Sequence, residues 1–218
     1  MATNDPQGVD KLSSDCYSAG ERPWMEYGQQ VRASCLNPLL GILARYRVTP
    51  DAVTIASGLC GVAFLPLWLM HQSAAALIGL WLHVLLDGLD GPLARYQGNA
   101  SPRGSFVDTF TDQVVVTLVT VAWLIGSPSS LNIAFGGGYI FLYAMVVGMA
   151  MVRNALEVPY SWLVRPRFFV FAAISLEWLT EWPLTLATLV TCDLLLAIKC
   201  ASGFIALRAK LPGPNAPN

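Results

Sequence analysis

The chain has 218 residues, 55% hydrophobic and 12% charged, with a formal net charge of −1. So much apolar side chain and so little charge exclude a soluble globular domain, leaving an all-α integral membrane protein as the expected class, with no nucleic-acid partner. Five cysteines (Cys16, Cys35, Cys60, Cys192, Cys200) are odd in number and lack CxxC or Cys/His ligand spacing, which argues against a disulfide framework and structural zinc.

Residues 1–23 are polar, without the basic and apolar regions of a signal peptide, and read as a flexible cytoplasmic tail. Residues 24–47 mix Trp24, Leu36, Leu39, Leu40, Ile42 and Leu43 with Arg32, Arg45 and Arg47, the pattern of an amphipathic helix lying on the membrane interface. Pro38 is expected to break or bend it. Residues 48–210 form the expected membrane domain. Thr49-Pro50-Asp51 supplies a helix start, and apolar runs of membrane-crossing length predict six spans at about 53–70, 74–95, 104–125, 133–152, 168–179 with flanks, and 184–207. With six spans all thirteen Lys and Arg fall on or near one side, while the opposite loops at 71–73, 126–131 and 177–183 have none, so both termini are expected in the cytoplasm. The Pro-rich residues 211–218 read as a second flexible tail.

Four aspartates interrupt the second and third runs. Carboxylates are costly in a membrane and are kept there mainly for function. Asp87 and Asp90 are three apart, Asp108 and Asp112 four apart, so each pair shares a helix face, and the short polar loop between the helices puts both pairs near one end. Hard oxygen donors so clustered suit Mg²⁺ or Mn²⁺, and two such ions could bridge a diphosphate. Gly88, Gly91 and Gly104 permit close approach, and Pro92 frees the carbonyl of Gly88 from its helical partner.

From Asp87 to Asp112 the sequence reads D-x2-D-G-x2-A-R-x8-G-x3-D-x3-D, with all eight specified positions filled. This resembles the signature of the CDP-alcohol phosphotransferase family. The resemblance implies that Asp87, Asp90 and Asp108 bind one metal ion and Asp90, Asp108 and Asp112 a second, with Asp112 also the base that deprotonates the acceptor hydroxyl. It implies a CDP site at Gly91, Ala94, Arg95, Ser101 and Gly104. Asp51, Ala52, Val53 and Thr54 join that site, being similar to the family's Pro-Asn/Asp-x-Val-Thr opening; a plain helix cap is the other reading of this segment. Arg153, Arg165 and Arg167 fall where members acting on phosphorylated acceptors carry arginines, whose forked guanidinium suits phosphate; anchoring at the cytoplasmic face is the other reading of Arg165 and Arg167.

The implied protein is a homodimeric enzyme that transfers a phosphatidyl group from CDP-diacylglycerol to an alcohol and releases CMP. The arginines favour a polyol phosphate acceptor, glycerol 3-phosphate or an inositol phosphate, over choline; choline, serine or another alcohol is the alternative within the family, and the 87–95 segment also resembles members that use choline or serine. A Mg²⁺-dependent membrane prenyltransferase would place its acidic motifs on more widely separated helices. A divalent-cation transporter would continue its polar residues through the outer halves of the spans, which here are mostly Leu, Val, Ala and Ile. His83, four residues before Asp87, reads either as a partner of the acidic cluster or as a structural histidine; Asp193 and Lys199 match no motif.

Overall fold

A computed structural model describes residues 36–156 and 165–210; the tails, the first half of the expected interfacial helix and residues 157–164 lie outside the described residues. Every regular element described is a helix: α1 (residues 36–45), α2 (Pro50–Val62), α3 (Phe64–Leu69), α4 (Ser73–Tyr96), α5 (Pro102–Gly126), α6 (Ser130–Ala155), α7 (Arg167–Thr180) and α8 (Leu184–Lys210). The described part of α1 runs through Pro38. Its Leu36, Leu40 and Leu43, on one face, pack with Val53 and Leu93, so α1 is pinned to the bundle on that side. Its Leu39 and Ile42 point outward.

The run expected at 53–70 is one apolar span made of two helices. Pro66 has no N–H to offer the carbonyl of Val62, and the chain breaks helical form at Ala63, between α2 and α3. Two caps then set the geometry at one end of the bundle. Gly98, at φ 69°, closes α4: Gly98 N–H donates to Arg95 O and Asn99 N–H to Ala94 O, a paired closure that glycine makes without steric cost. Three residues later Ser101 caps α5, its Oγ accepting from Gly104 N–H at 3.1 Å. The aspartate-bearing ends of α4 and α5 are thereby held side by side.

Five segments are long and apolar enough to cross a membrane: Pro50–Leu69, Ser73–Tyr96, Pro102–Gly126, Ser130–Arg153 and Leu184–Lys210. The span expected at 168–179, the fifth of the six, is shorter than the hydrocarbon. With 14 residues α7 is about 21 Å long against roughly 30 Å of bilayer core. Its first residue, Arg167, reaches the carboxylates of Asp87 and Asp112, which lie about 13 to 15 Å along α4 and α5 from their joined end. That depth plus the length of α7 comes to about 35 Å, close to the roughly 36 Å of the 24-residue α4. So α7 starts at the depth of the acidic cluster and covers only the remainder.

α5 is the hub, touching α2, α3, α6 and α7, while α4 lies on α2 and α3, and α8 on α6 and α7. Val115, Val116 and Val119 of α5 are fully buried with Phe64, Leu80, Phe171 and Leu189. Outward faces carry Ile55, Ile78, Leu85, Phe141 and Ile198, as a lipid-facing surface requires. Arg45, Arg47, Arg95, Arg103, Arg153, Arg208 and Lys210 gather at the end where α4 meets α5, and the connectors at the other end hold no Lys or Arg.

α2 approaches α5 closely through glycines. A Cβ on Gly61 would collide with both methyls of Val115, and one on Gly58 would sit 2.9 Å from Thr111 Cγ2. Val115 is fully buried and has nowhere to go. Gly61→Ala is therefore expected to cost about 1 to 3 kcal/mol and to lower the melting temperature in detergent by several degrees. Gly88→Ala, which meets nothing within 4 Å, is expected to leave it unchanged; equal melting of the two variants would contradict this packing.

Candidate active site: a carboxylate cluster beside a polar cavity

The structure brings the four aspartates together. One oxygen each from Asp87, Asp108 and Asp112 lies within 4.8 Å of the others, two helices supplying the three. Asp108 also lies against Asp90, so the quartet is continuous. Asp90 is the most firmly held: its Oδ2 accepts from Thr54 Oγ1 at 2.8 Å and its Oδ1 from the N–H of Gly91 at 2.6 Å. Asp112 Oδ1 is buried with no hydrogen-bond partner. Three converging carboxylates with an unpartnered buried oxygen fit a hard divalent cation such as Mg²⁺ or Mn²⁺.

Beside the cluster opens a cavity of about 440 Å³, lined by Thr49, Pro50, Asp51 and Thr54 of the α2 start, Asp90, Gly91, Ala94 and Arg95 of α4, and Ser101, Gly104, Ser105 and Asp108 of the α5 start, with Asn99 and Ala100 between. The starts of two helices, α2 and α5, border this space with their positive dipole ends, and Arg95 adds a full charge. The site is built for an anion next to a cation cage. Of the expected CDP-site residues, seven line it: Asp51, Thr54, Gly91, Ala94, Arg95, Ser101 and Gly104. Ala52 and Val53 do not. Ala52 gives its N–H to Thr49 Oγ1 at 3.2 Å, and Val53 is buried in the α1 packing cluster. Thr49 caps α2 and lines the cavity at once.

Thr54 joins the two halves of this site, and the loss of such a supporting bond typically costs metal affinity 10- to 100-fold. Thr54→Val is expected to weaken Mn²⁺ binding by about 10-fold, with Thr54→Ser close to the parent; a Mn²⁺ titration followed by electron paramagnetic resonance checks it, and equal affinity in Thr54→Val would remove Thr54 from the site.

The three arginines part company. Arg167 is 2% exposed and lies inside the cluster: Nη2 is 2.7 Å from Asp87 Oδ2 and Nη1 pairs with Asp112 Oδ2. Arg153 sits half-buried in the last turn of α6, at the end of the bundle that carries the cavity, and Arg165 is exposed just ahead of α7. His83 is a partner of the cluster, with Nε2 3.8 Å from Asp112 Oδ1 and Nδ1 2.8 Å from Ser57 Oγ. Ser57, like Thr49, Asn99 and Ser105, is not among the expected site residues; its place three residues after Thr54, on the same face of α2, is the signal that would have found it. Asp193 lies elsewhere, buried against Gly138 of α6.

Among known proteins, the chain is 33% identical over 111 residues to an archaetidylinositol phosphate synthase of Aeropyrum pernix, a match covering 50% of this chain and 57% of that one. It is 31% identical over 112 residues to a CDP-diacylglycerol–serine O-phosphatidyltransferase of Mycobacterium bovis, covering 51% and 39%. The chain thus spans about half the length of the curated relatives it matches. The crystal structure of Mycobacterium tuberculosis phosphatidylinositol phosphate synthase in complex with manganese and citrate superposes with a TM-score of 0.69 at 22% identity, over 83% of this chain and 92% of that one. The same protein with CDP-DAG bound gives 0.65. At that identity the likeness establishes the fold. Residues 47–204, from just ahead of the α2 cap to within α8, match the family described as CDP-alcohol phosphatidyltransferase, and the chain belongs to that family.

Proposed function

We propose that this protein is a membrane enzyme of phospholipid synthesis that transfers a phosphatidyl group from CDP-diacylglycerol to a polyol phosphate and releases CMP. The observation that carries this reading is the joining of three convergent carboxylates to a 440 Å³ cavity walled by two helix N-termini and Arg95. The cavity takes the cytidine and its phosphate, Ser101 and Gly104 offering the α5 start and Thr49 the α2 start. Asp87, Asp90, Asp108 and Asp112 hold the divalent ions, Mg²⁺ or Mn²⁺, which supply charge neutralisation to the diphosphate. Manganese in one solved relative and CDP-DAG in another crystal of it support that assignment.

Asp112, through its unpartnered Oδ1, takes the proton from the acceptor hydroxyl. The acceptor oxygen forms a bond to the lipid-linked phosphorus, the bond from that phosphorus to the bridging oxygen breaks, and CMP leaves with the electron pair. The acceptor's own phosphate is met by Arg153 and Arg165, with Arg167 beside them at the start of α7. The name of one relative carries an inositol phosphate product and that of another a serine acceptor, and the arginines favour the phosphorylated acceptor. The basic end of the bundle faces the cytoplasm, and two copies form a homodimer, as the family resemblance implies.

The test is purified protein with CDP-diacylglycerol, Mg²⁺ or Mn²⁺, and a panel of glycerol 3-phosphate, inositol phosphate, serine and choline, read by CMP release. Release with a polyol phosphate is expected. Release with serine or choline alone would reassign the acceptor, and none with any of them would overturn the activity.

A further inference from the structure

Arg167 stands where a cation is needed before any metal arrives. It is the first residue of α7, almost wholly buried, and its guanidinium spans two carboxylates from different helices, Asp87 of α4 and Asp112 of α5. Those two are members of the three-carboxylate group whose oxygens converge, while the third, Asp108, makes no ion pair with it among the described residues. The planar fork suits this bridging, one nitrogen to each carboxylate, and the Phe168 ring lies 4.9 Å from its Cζ. A buried guanidinium is tolerable only while paired, and a buried acidic quartet only while neutralised. Each offsets part of the other's cost: Nη2 donates to Asp87 Oδ2, while Nη1, though paired with Asp112 in charge, and Nε make no hydrogen bond among the described residues.

We propose, on the reading that the aspartates hold divalent ions, that Arg167 is the built-in counter-cation of the cluster and competes with metal for it. One positive charge cannot neutralise four carboxylates, so the site retains a strong demand for divalent ions. An ion taken up by Asp87 and Asp112 meets the oxygens that Arg167 already occupies and draws off the charge that holds it. Loading therefore loosens the grip of Arg167 on at least one of the two. The released guanidinium, at the start of α7, then turns to the acceptor side, beside Arg165. Because α7 begins at the depth of the cluster, this ion pair is also the anchor of its first turn.

The test is Mn²⁺ binding without substrate, by electron paramagnetic resonance and calorimetry, on the purified protein and on Arg167→Gln and Arg167→Lys. Arg167→Gln is expected to bind Mn²⁺ at least about 10-fold more tightly, or to bind one ion more, with Arg167→Lys between. Unchanged or weaker binding in Arg167→Gln overturns the proposal and leaves Arg167 an acceptor ligand or a structural pin. Should Arg167→Gln fail to fold, hydrogen exchange on the parent protein decides: Mn²⁺ is expected to speed exchange in the first turn of α7, and no change or slowing overturns the competition. A protein that turns over with Mn²⁺ but fails these tests refutes the competition alone; one that binds no Mn²⁺ and releases no CMP refutes the activity as well.

Discussion

Asp112→Asn is expected to lower turnover by about 10³-fold, equivalent to roughly 4 kcal/mol of transition-state stabilisation, while leaving CDP affinity within a few-fold of the parent. The separation of the two effects follows from where the residue sits. Asp112 does not line the cavity proposed for the nucleotide, whose acidic walls are Asp51, Asp90 and Asp108, so nucleotide should still bind. What is lost is the ability of Oδ1 to take a proton, together with one charged member of the carboxylate group. The amide keeps the shape and one acceptor oxygen, so Arg167 retains a neutral partner and the fold is expected to survive. CMP release gives the first quantity and calorimetry with CDP the second. A variant keeping more than a tenth of the parent rate would rule out Asp112 as the base; a parallel collapse of CDP affinity would mean that the site had come apart rather than lost a base.

The acidic quartet was legible because helical periodicity is rigid: residues three and four apart must share a face, whatever surrounds them, and a loop of five residues from 97 to 101 keeps the facing ends of the two helices close. Gly98 and Ser101, which fix that loop, are local signals of the same kind. Val53 shows the opposite case. Its neighbours Asp51 and Thr54 line the cavity, yet one helical step turns Val53 to Leu40 and Leu93, and the presence of α1 there is a tertiary fact that no local pattern carries. The length of α7 was hidden for a similar reason. Its apolar run extends about as far as a short span with flanks should, but the helix starts where Arg167 meets two carboxylates 80 and 55 residues earlier in the chain. The break at Ala63 was readable from Pro66 alone. The partnership of His83 with Ser57 depends on how α2 packs against α4, with Gly61 close enough that a side chain there would meet the imidazole.

Asp108→Asn is the substitution expected to damage metal binding most cleanly. Each of the other carboxylates has a second duty. Asp87 and Asp112 pair with Arg167, so neutralising either one also weakens the compensation of a buried guanidinium. Asp90 is tied to Thr54 and to the turn at Gly91. Asp108 touches both Asp87 and Asp90 and makes no described ion pair, so it sits amid like charges with the least local compensation. Removing its charge relieves repulsion in the empty cluster while removing the carboxylate that connects the cluster to the cavity. The expected result is a melting temperature equal to or above the parent, a loss of Mn²⁺ affinity beyond the roughly 10- to 100-fold that a missing outer partner costs, and CMP release at background. Added Mn²⁺ should raise the parent's melting temperature and leave that of the variant flat, because a ligand stabilises only the state that binds it. Parent-like Mn²⁺ stabilisation of Asp108→Asn would move the ion away from the junction of cluster and cavity, and with it the site of phosphoryl transfer.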